Sequence, residues 1–166
     1  MSRSIMSVGR IEASNDQLFP FAEQLLSEGH TFTLTLHGNS MRPFLEDGRD
    51  TGLLVPMNPD ELKVGDVVLC EFLPRRYALH RVIAVRDHDF DMLGDGNLTP
   101  EYHCPKSRII ARAEGFYRKG RKQMDSVNGR KWRLYSLLWT RLRPLRRYLL
   151  FIYRRYYRLK CILQGK

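Results

Sequence analysis

The feature that most constrains the fold is a change in hydrophobic period between the middle of the chain and its C-terminal part. From residue 31 to residue 117, short apolar segments alternate with turns rich in glycine and proline, which is typical of β-strands. From residue 130 onward, apolar residues recur every three or four positions, which is typical of amphipathic helices. The sequence therefore predicts a mainly β fold that continues into a helical C-terminal tail.

The two periods divide the chain into four parts. Residues 1–30 are expected to hold a lead-in and one helix, capped by Asn15-Asp16, and residues 31–117 the β domain. Residues 118–129 form a basic linker, and residues 130–166 form a basic amphipathic tail. Within the β domain, strands are predicted over residues 31–36, 51–55, 67–72, 77–85, 90–93 and 107–117.

The tail contains a proline, Pro144, which is expected to divide it into helices over residues 131–142 and 145–163. Its apolar stripe consists of Leu134, Leu138, Leu142, Leu145, Leu149, Ile152, Tyr156, Leu159 and Leu163. A basic amphipathic helix of this kind binds the interface of an anionic bilayer. Alternatively, the stripe packs on the β domain or on a partner helix, and a third alternative is nucleic acid.

Positive charge is concentrated in the same region. The chain has a net charge of +10, yet residues 118–166 alone hold 16 lysines and arginines against one acid, so the preceding part is net negative. This asymmetry argues against a protein that coats nucleic acid with its whole surface. A single helix before the first strand is also too little for a helix-turn-helix domain, so no sequence-specific nucleic-acid partner is expected.

The sequence also bears on cellular compartment and cofactors. It shows neither a signal-peptide pattern nor a transmembrane stretch, so we expect a cytoplasmic protein that attaches peripherally to the inner face of a membrane. Cys70, Cys104 and Cys161 lack the spacing of a metal site and are expected to be buried or incidental thiols in a reducing compartment. No metal or cofactor is predicted.

Three residues could form a site for nucleophilic catalysis. Ser40 follows the first predicted strand and Gly38, but a free hydroxyl is a weak nucleophile unless a base activates it. His80, on the strand over residues 77–85, could be that base, and Asp95 could hold its imidazole in the required tautomer. Each residue also has an ordinary interpretation, as a turn residue or a structural histidine.

Four motifs in a fixed order make the catalytic interpretation more specific. They are Gly38-Asn39-Ser40-Met41-Arg42-Pro43-Phe44, Gly65-Asp66-Val67-Val68, Leu79-His80-Arg81-Val82-Ile83 and Gly94-Asp95-Gly96-Asn97. This series, over residues 31–117, resembles the serine peptidases that unite type I signal peptidases with self-cleaving LexA-type repressors. The position of the base holds His80 rather than lysine, as in the histidine-type signal peptidases of archaea and the endoplasmic reticulum.

The resemblance implies a compact signal-peptidase/LexA-like β domain and a serine endopeptidase that acts through an acyl-enzyme. It implies that Ser40 is the nucleophile, His80 the base and Asp95 the orienting acid, and that the substrate binds as an extended strand. The residues implied in the substrate groove and the oxyanion site are Asn39, Met41 and Pro43, with the Ser40 main-chain N–H as an oxyanion donor. Glu101 lies where some relatives place another acid.

The sequence also departs from the best-known members of this group. From this sequence we expect neither the N-terminal anchor of a signal peptidase nor the DNA-binding domain of a repressor, and in this respect it resembles the short stand-alone peptidases of this clan in bacteria. The expected partner is a peptide or protein substrate, with an anionic membrane surface contacted through residues 130–163. The alternative is a non-catalytic, peptide-binding adaptor of the same fold, which its basic tail recruits to a membrane or partner.

Overall fold

A computed structural model describes the backbone of residues 15–163 and the side chains of residues 18–162. The predicted lead-in over residues 1–14, the end of the tail at residues 164–166 and the capping by Asn15-Asp16 lie outside the described parts. The helices are α1 (Asn15–Ser27), α2 (Arg130–Arg141) and α3 (Arg146–Leu163). The strands of the described range are β1 (Phe32–Thr35), β2 (Thr51–Val55), β3 (Val67–Leu73), β4 (Arg76–Val85), β5 (Asp89–Leu93), β6 (Glu101–Pro105), β7 (Ile109–Tyr117) and β8 (Met124–Ser126).

The strands form one sheet in the order β1-β2-β7-β3-β4-β5-β6, with β8 paired to β7, and every pairing is antiparallel. The predicted mainly β fold with helical ends is therefore confirmed. Each strand predicted from the sequence is present, but β6 and β8 were not predicted. Strand β8 has only three residues, and β6 is a polar edge strand that ends in a proline, so neither shows the usual hydrophobic alternation.

The core has two parts, one on each face of the sheet. Val67 and Leu69 of β3 belong to one cluster, whereas Val68 and Cys70, which alternate with them, belong to the other. Burial on both faces explains why β3 has an unbroken apolar run. The first cluster also contains Phe19, Ala22 and Leu26 of α1 and Trp132 of α2, so helices from both ends of the chain pack on that face.

The tail is divided as Pro144 predicts, because α2 ends at Arg141, a short 3-10 turn covers Arg143–Leu145, and α3 follows. The face that contacts the domain is not the predicted stripe, however. Most of the stripe is at least half exposed, namely Leu134, Leu138, Leu145, Ile152, Tyr156 and Leu159. The interpretation that the stripe packs on the β domain is therefore wrong, because aromatic and arginine side chains of other faces make that contact. None of the helices in the described range has the length and apolar character needed to cross a bilayer.

Candidate active site

The loop between β1 and β2 carries Ser40. Gly38 adopts a φ of +90°, a conformation that favours glycine, and its N–H donates to Asp47 Oδ1 at 3.0 Å. Met41, the residue after Ser40, is buried in the first core cluster and holds the loop against the domain. As a result Ser40 is half-buried at the rim of the sheet.

His80 lies in the middle of β4, opposite Val68 of β3, and only 4% of its surface is exposed. Its Nδ1 is 2.9 Å from Oε2 of Glu101, the first residue of β6. The order β4-β5-β6 in the sheet brings these two side chains together, although they are far apart in sequence. A carboxylate on Nδ1 orients the imidazole and leaves Nε2 for proton transfer.

His80 Nε2 faces the loop that carries Ser40. A β-carbon built on Gly94 would lie 2.9 Å from His80 Nε2 and 2.5 Å from the Ser40 main-chain oxygen, so both atoms border the same point. The Ser40 loop is fixed there by the Gly96 N–H, which donates to that main-chain oxygen at 2.7 Å. Within the described residues no hydrogen bond joins Ser40 Oγ to His80, and in unliganded sites such bonds are often formed only when substrate binds.

Asp95 has a different role from the one predicted. Its two carboxylate oxygens accept hydrogen bonds from Arg81 Nε at 3.0 Å and Nη2 at 2.8 Å, and neither side chain is more than 1% exposed. Burial opposes the charge on Arg81, but the Asp95 carboxylate outweighs it and raises the Arg81 pKa. The structure thus differs from the prediction: Glu101, not Asp95, contacts His80, and Asp95 neutralises a buried arginine.

Tyr135 of α2 completes the surroundings of Asp95. Its hydroxyl donates to Asp95 Oδ2 at 3.2 Å. Burial raises the pKa of Tyr135, and the nearby Asp95 charge raises it further, so the phenol keeps its proton and acts as a donor. Asp95 therefore connects β4 to the C-terminal tail.

The tail also contacts the main chain of the Gly94–Asn97 loop. Trp139 Nε1 donates to the Asp95 oxygen at 3.1 Å, and Arg154 Nη2 donates to the Gly96 oxygen at 3.1 Å. The Gly94 oxygen accepts a longer bond, of 3.5 Å, from Arg146 Nη1. Three consecutive carbonyl groups are thus bound by α2 and α3, so the tail is part of the candidate site. The hydrophobic pattern of the tail does not indicate this role, and the signal for it in the sequence is the placement of aromatic residues and arginines off the apolar stripe.

A cavity of about 670 Å³ lies between the Ser40 loop, the Gly94–Asn97 loop and α3. Its lining residues are Asn39, Ser40, Arg42, Gly96, Asn97, Leu150, Tyr153, Arg154, Tyr157, Arg158 and Cys161. Of the residues predicted to bind substrate, Asn39 lines this cavity, whereas Pro43 is outside the lining. Met41, the third of them, is a buried core residue and is not among the residues that line the cavity.

One group in the described range has the spacing of metal ligands, namely Asp89, Asp91 and His103. Arg86 donates to Asp91 at 2.9 and 2.7 Å and to Asp89 at 2.6 Å. Its hydrogen bonds hold the pKa of both carboxyls below the usual range. The Arg86 guanidinium thus supplies the positive charge that holds the two carboxylates close together.

No protein-family model matches the sequence, and no curated protein matches it either. The functional assignment therefore depends on the geometry of the site and on the motifs of the sequence.

Proposed function

We propose that this protein is a serine endopeptidase in which Ser40 is the nucleophile and His80 is the general base. The observation that carries the proposal is the position of His80: Glu101 holds Nδ1 at 2.9 Å, while Nε2 faces the Ser40 loop across Gly94. A nucleophile, a base and an acid that orients the base are the groups that acyl transfer requires. The four motifs that resemble the signal-peptidase/LexA clan support the same chemistry.

In this mechanism, Ser40 Oγ attacks the peptide carbonyl carbon while its proton passes to His80 Nε2. The tetrahedral intermediate then collapses, the C–N bond breaks, and the imidazolium gives its proton to the leaving amine. A water molecule, deprotonated by His80, hydrolyses the acyl-serine ester and regenerates the hydroxyl. Glu101 stabilises the imidazolium in both halves, and the Ser40 N–H donates to the developing oxyanion.

The substrate is proposed to bind as an extended segment. Strand β1 is at one end of the sheet order, pairs with β2 on one side only within the described range, and leads into the Ser40 loop. An unpaired strand edge of this kind binds an extended peptide through main-chain hydrogen bonds. Strand addition at β1 would place the peptide beside Ser40.

We further propose that the tail attaches the peptidase to the inner face of an anionic membrane. At 3.6 residues per turn, one side of α3 carries Leu150, Tyr153, Tyr157 and Cys161, which line the cavity. The opposite side presents side chains that are 60–67% exposed, namely Tyr148, Phe151, Ile152, Tyr156, Leu159 and Ile162. The sequence has no acidic residue after Asp125, and arginines lie both beside this apolar face and, at Arg155, within it.

The peptidase proposal is tested by substituting Ser40→Ala and comparing protein termini in extracts of cells that make either chain. Ser107→Ala is the matched control because Ser107 is an exposed serine far along the chain in a different element. New termini that need Ser40 but not Ser107, together with labelling of Ser40 by a fluorophosphonate, are the expected result. Folded Ser40→Ala and parent proteins with identical termini, and no labelling, would favour the non-catalytic adaptor.

The membrane proposal is tested by co-sedimentation of the full chain with two kinds of vesicle. One is phosphatidylcholine alone, and the other contains about one anionic phosphatidylglycerol in every three lipids. We expect binding to the anionic vesicles that weakens as salt rises and is lost in the triple variant Phe151→Ser, Ile152→Ser and Leu159→Ser. The matched control is Val64→Ser, Leu73→Ser and Leu98→Ser, which removes exposed apolar side chains of the β domain. Equal loss in both triple variants, or no binding by the parent chain, would contradict the proposal.

A further inference from the structure

The cavity beside Ser40 has an unbalanced positive charge. Its lining contains three arginines and no aspartate or glutamate. Arg42 is neutralised, because its Nη2 is 3.1 Å from Glu46 Oε2. Arg154 and Arg158 form no ion pair within the described residues, and Arg154 makes only the hydrogen bond to the Gly96 oxygen. Two guanidinium groups therefore border the cavity without a counter-ion from the described residues.

Some neutral groups of the cavity can also donate hydrogen bonds to a ligand. Arg42 Nη2 donates to the Tyr157 hydroxyl oxygen at 3.2 Å, which leaves the Tyr157 proton free to be donated to a ligand. Tyr153 is not among these donors, because its one hydroxyl proton is already donated to Glu46 Oε1 at 3.0 Å. The amide groups of Asn39 and Asn97 provide further donors. An ionised carboxylate, which only accepts hydrogen bonds, is complementary to this lining.

We propose that the cavity binds a carboxylate of the substrate, so that acidic peptide segments are selected beside the cleaved bond. The cleavage part of this inference rests on the proposed peptidase function, whereas the binding part does not. The carboxylate comes either from an aspartate or glutamate side chain or from the C-terminus of a peptide. The other anions that a cell offers, such as lipid phosphates, become an outcome of the test.

Cys161 provides a readout that needs no catalysis. It is a half-buried lining residue of the cavity, whereas Cys70 and Cys104 are buried in the domain, so N-ethylmaleimide should react first at Cys161. The full chain carrying Ser40→Ala is alkylated in the presence of three synthetic decapeptide pools. One pool has aspartate and glutamate with an amidated C-terminus, the second has asparagine and glutamine instead, and the third matches the second but has a free C-terminus.

We expect alkylation of Cys161 to be about fivefold slower with a carboxylate-containing pool than with the second pool, which is neutral. Protection by the first pool would identify a side-chain carboxylate, and protection by the third pool would identify a C-terminal carboxylate. Arg158→Glu should abolish this protection, because it reverses a charge of the lining without removing a hydrogen bond seen in the structure. Arg155→Glu is the control, with the same change on an exposed residue outside the lining. Equal protection by all pools, or equal effects of the two variants, would overturn the inference, as would protection by phosphatidylglycerol vesicles alone.

The cleavage assay separates this inference from the proposed function. If Ser40-dependent cleavage occurs but acidic residues are not enriched beside the cut and no pool protects Cys161, the cavity inference fails and the peptidase proposal stands. If acidic pools protect Cys161 and no Ser40-dependent cleavage is found, the peptidase proposal fails and the cavity is that of a binding module.

Discussion

Substituting the two acids near His80 one at a time should separate catalysis from stability. Glu101→Gln keeps the size of the side chain but removes the charge 2.9 Å from His80 Nδ1. A hydrogen bond to a charged group contributes about 1.5–3 kcal/mol, which corresponds to a loss of roughly 10- to 160-fold in kcat. KM should change by less than about twofold, because Glu101 does not line the cavity. The unfolding free energy should change by less than about 1 kcal/mol, because the carboxylate is partly exposed.

Asp95→Asn should give the opposite result. Arg81 and Asp95 form an ion pair that is at most 1% exposed, so the substitution leaves a buried guanidinium without its counter-charge. Breaking such a pair costs about 3–5 kcal/mol, a large part of the stability of an ordinary domain. Urea unfolding followed by tryptophan fluorescence measures this loss.

Both variants are assayed for kcat and KM on one peptide that the parent protein cleaves, with Glu114→Gln, a half-buried glutamate of β7, as the control. The reasoning would be refuted if Glu101→Gln kept the parent kcat while Asp95→Asn lost it with unchanged stability. In that case Asp95 would be the orienting acid, as the sequence motif alone implies.

Three other substitutions test further contacts. Gly96→Ala would place a β-carbon 2.5 Å from the Asn39 main-chain oxygen, so we expect fluorophosphonate labelling of Ser40 to be lost and urea unfolding to show a loss of about 1–3 kcal/mol. Trp139→Phe removes the donor to the Asp95 oxygen and should cost about 0.5–1.5 kcal/mol in the same assay, and an unchanged unfolding midpoint would contradict the proposed contact. Asp50 is buried, which raises its pKa, but hydrogen bonds from Arg49 and from main-chain N–H groups outweigh burial and hold the pKa below its ordinary 3.8. Because the folded-state pKa is the lower one, the stability difference between the parent protein and Asp50→Asn should be constant above about pH 5 and shrink as the pH falls below 3.8. If the stability difference between the parent protein and Asp50→Asn grew toward low pH, the Asp50 pKa would be raised by folding rather than lowered, contrary to this prediction.

The sequence could predict the features that local pattern determines. Alternation and turn residues located the strands around Ser40 and His80, and Pro144 located the break between α2 and α3. The partner of His80 was not predictable in the same way, because it depends on the pairing of β4, β5 and β6 rather than on distance along the chain. Glu101 begins an edge strand that carries no hydrophobic alternation, so its strand was missed, and Asp95 was preferred because it lies in the Gly94-Asp95-Gly96-Asn97 motif.

The tail shows a second limit of sequence patterns. A hydrophobic period shows that a helix has an apolar face, but it does not show which face contacts the domain. Here Trp132 and Tyr135 pack near Arg81 and Phe44. Tyr135 and Trp139 hydrogen-bond the Gly94–Asn97 loop. These contacts combine aromatic packing with specific hydrogen bonds, and leucines of the stripe could have provided only the packing.

The opposite sides of α3 have a geometric consequence for the proposed enzyme. An α-helix with its side chains is about 10–12 Å thick, and an interfacial helix inserts its apolar side about 5–10 Å into the boundary of head groups and acyl chains. With Phe151 and Ile152 on the lipid side of α3, Tyr157 and the cavity beside Ser40 face the water above the head groups. The scissile bond would then lie at the aqueous edge of the lipid layer. If both proposals hold, an enzyme at that height would cleave the flank of a membrane-bound chain and would not reach the segment within the bilayer.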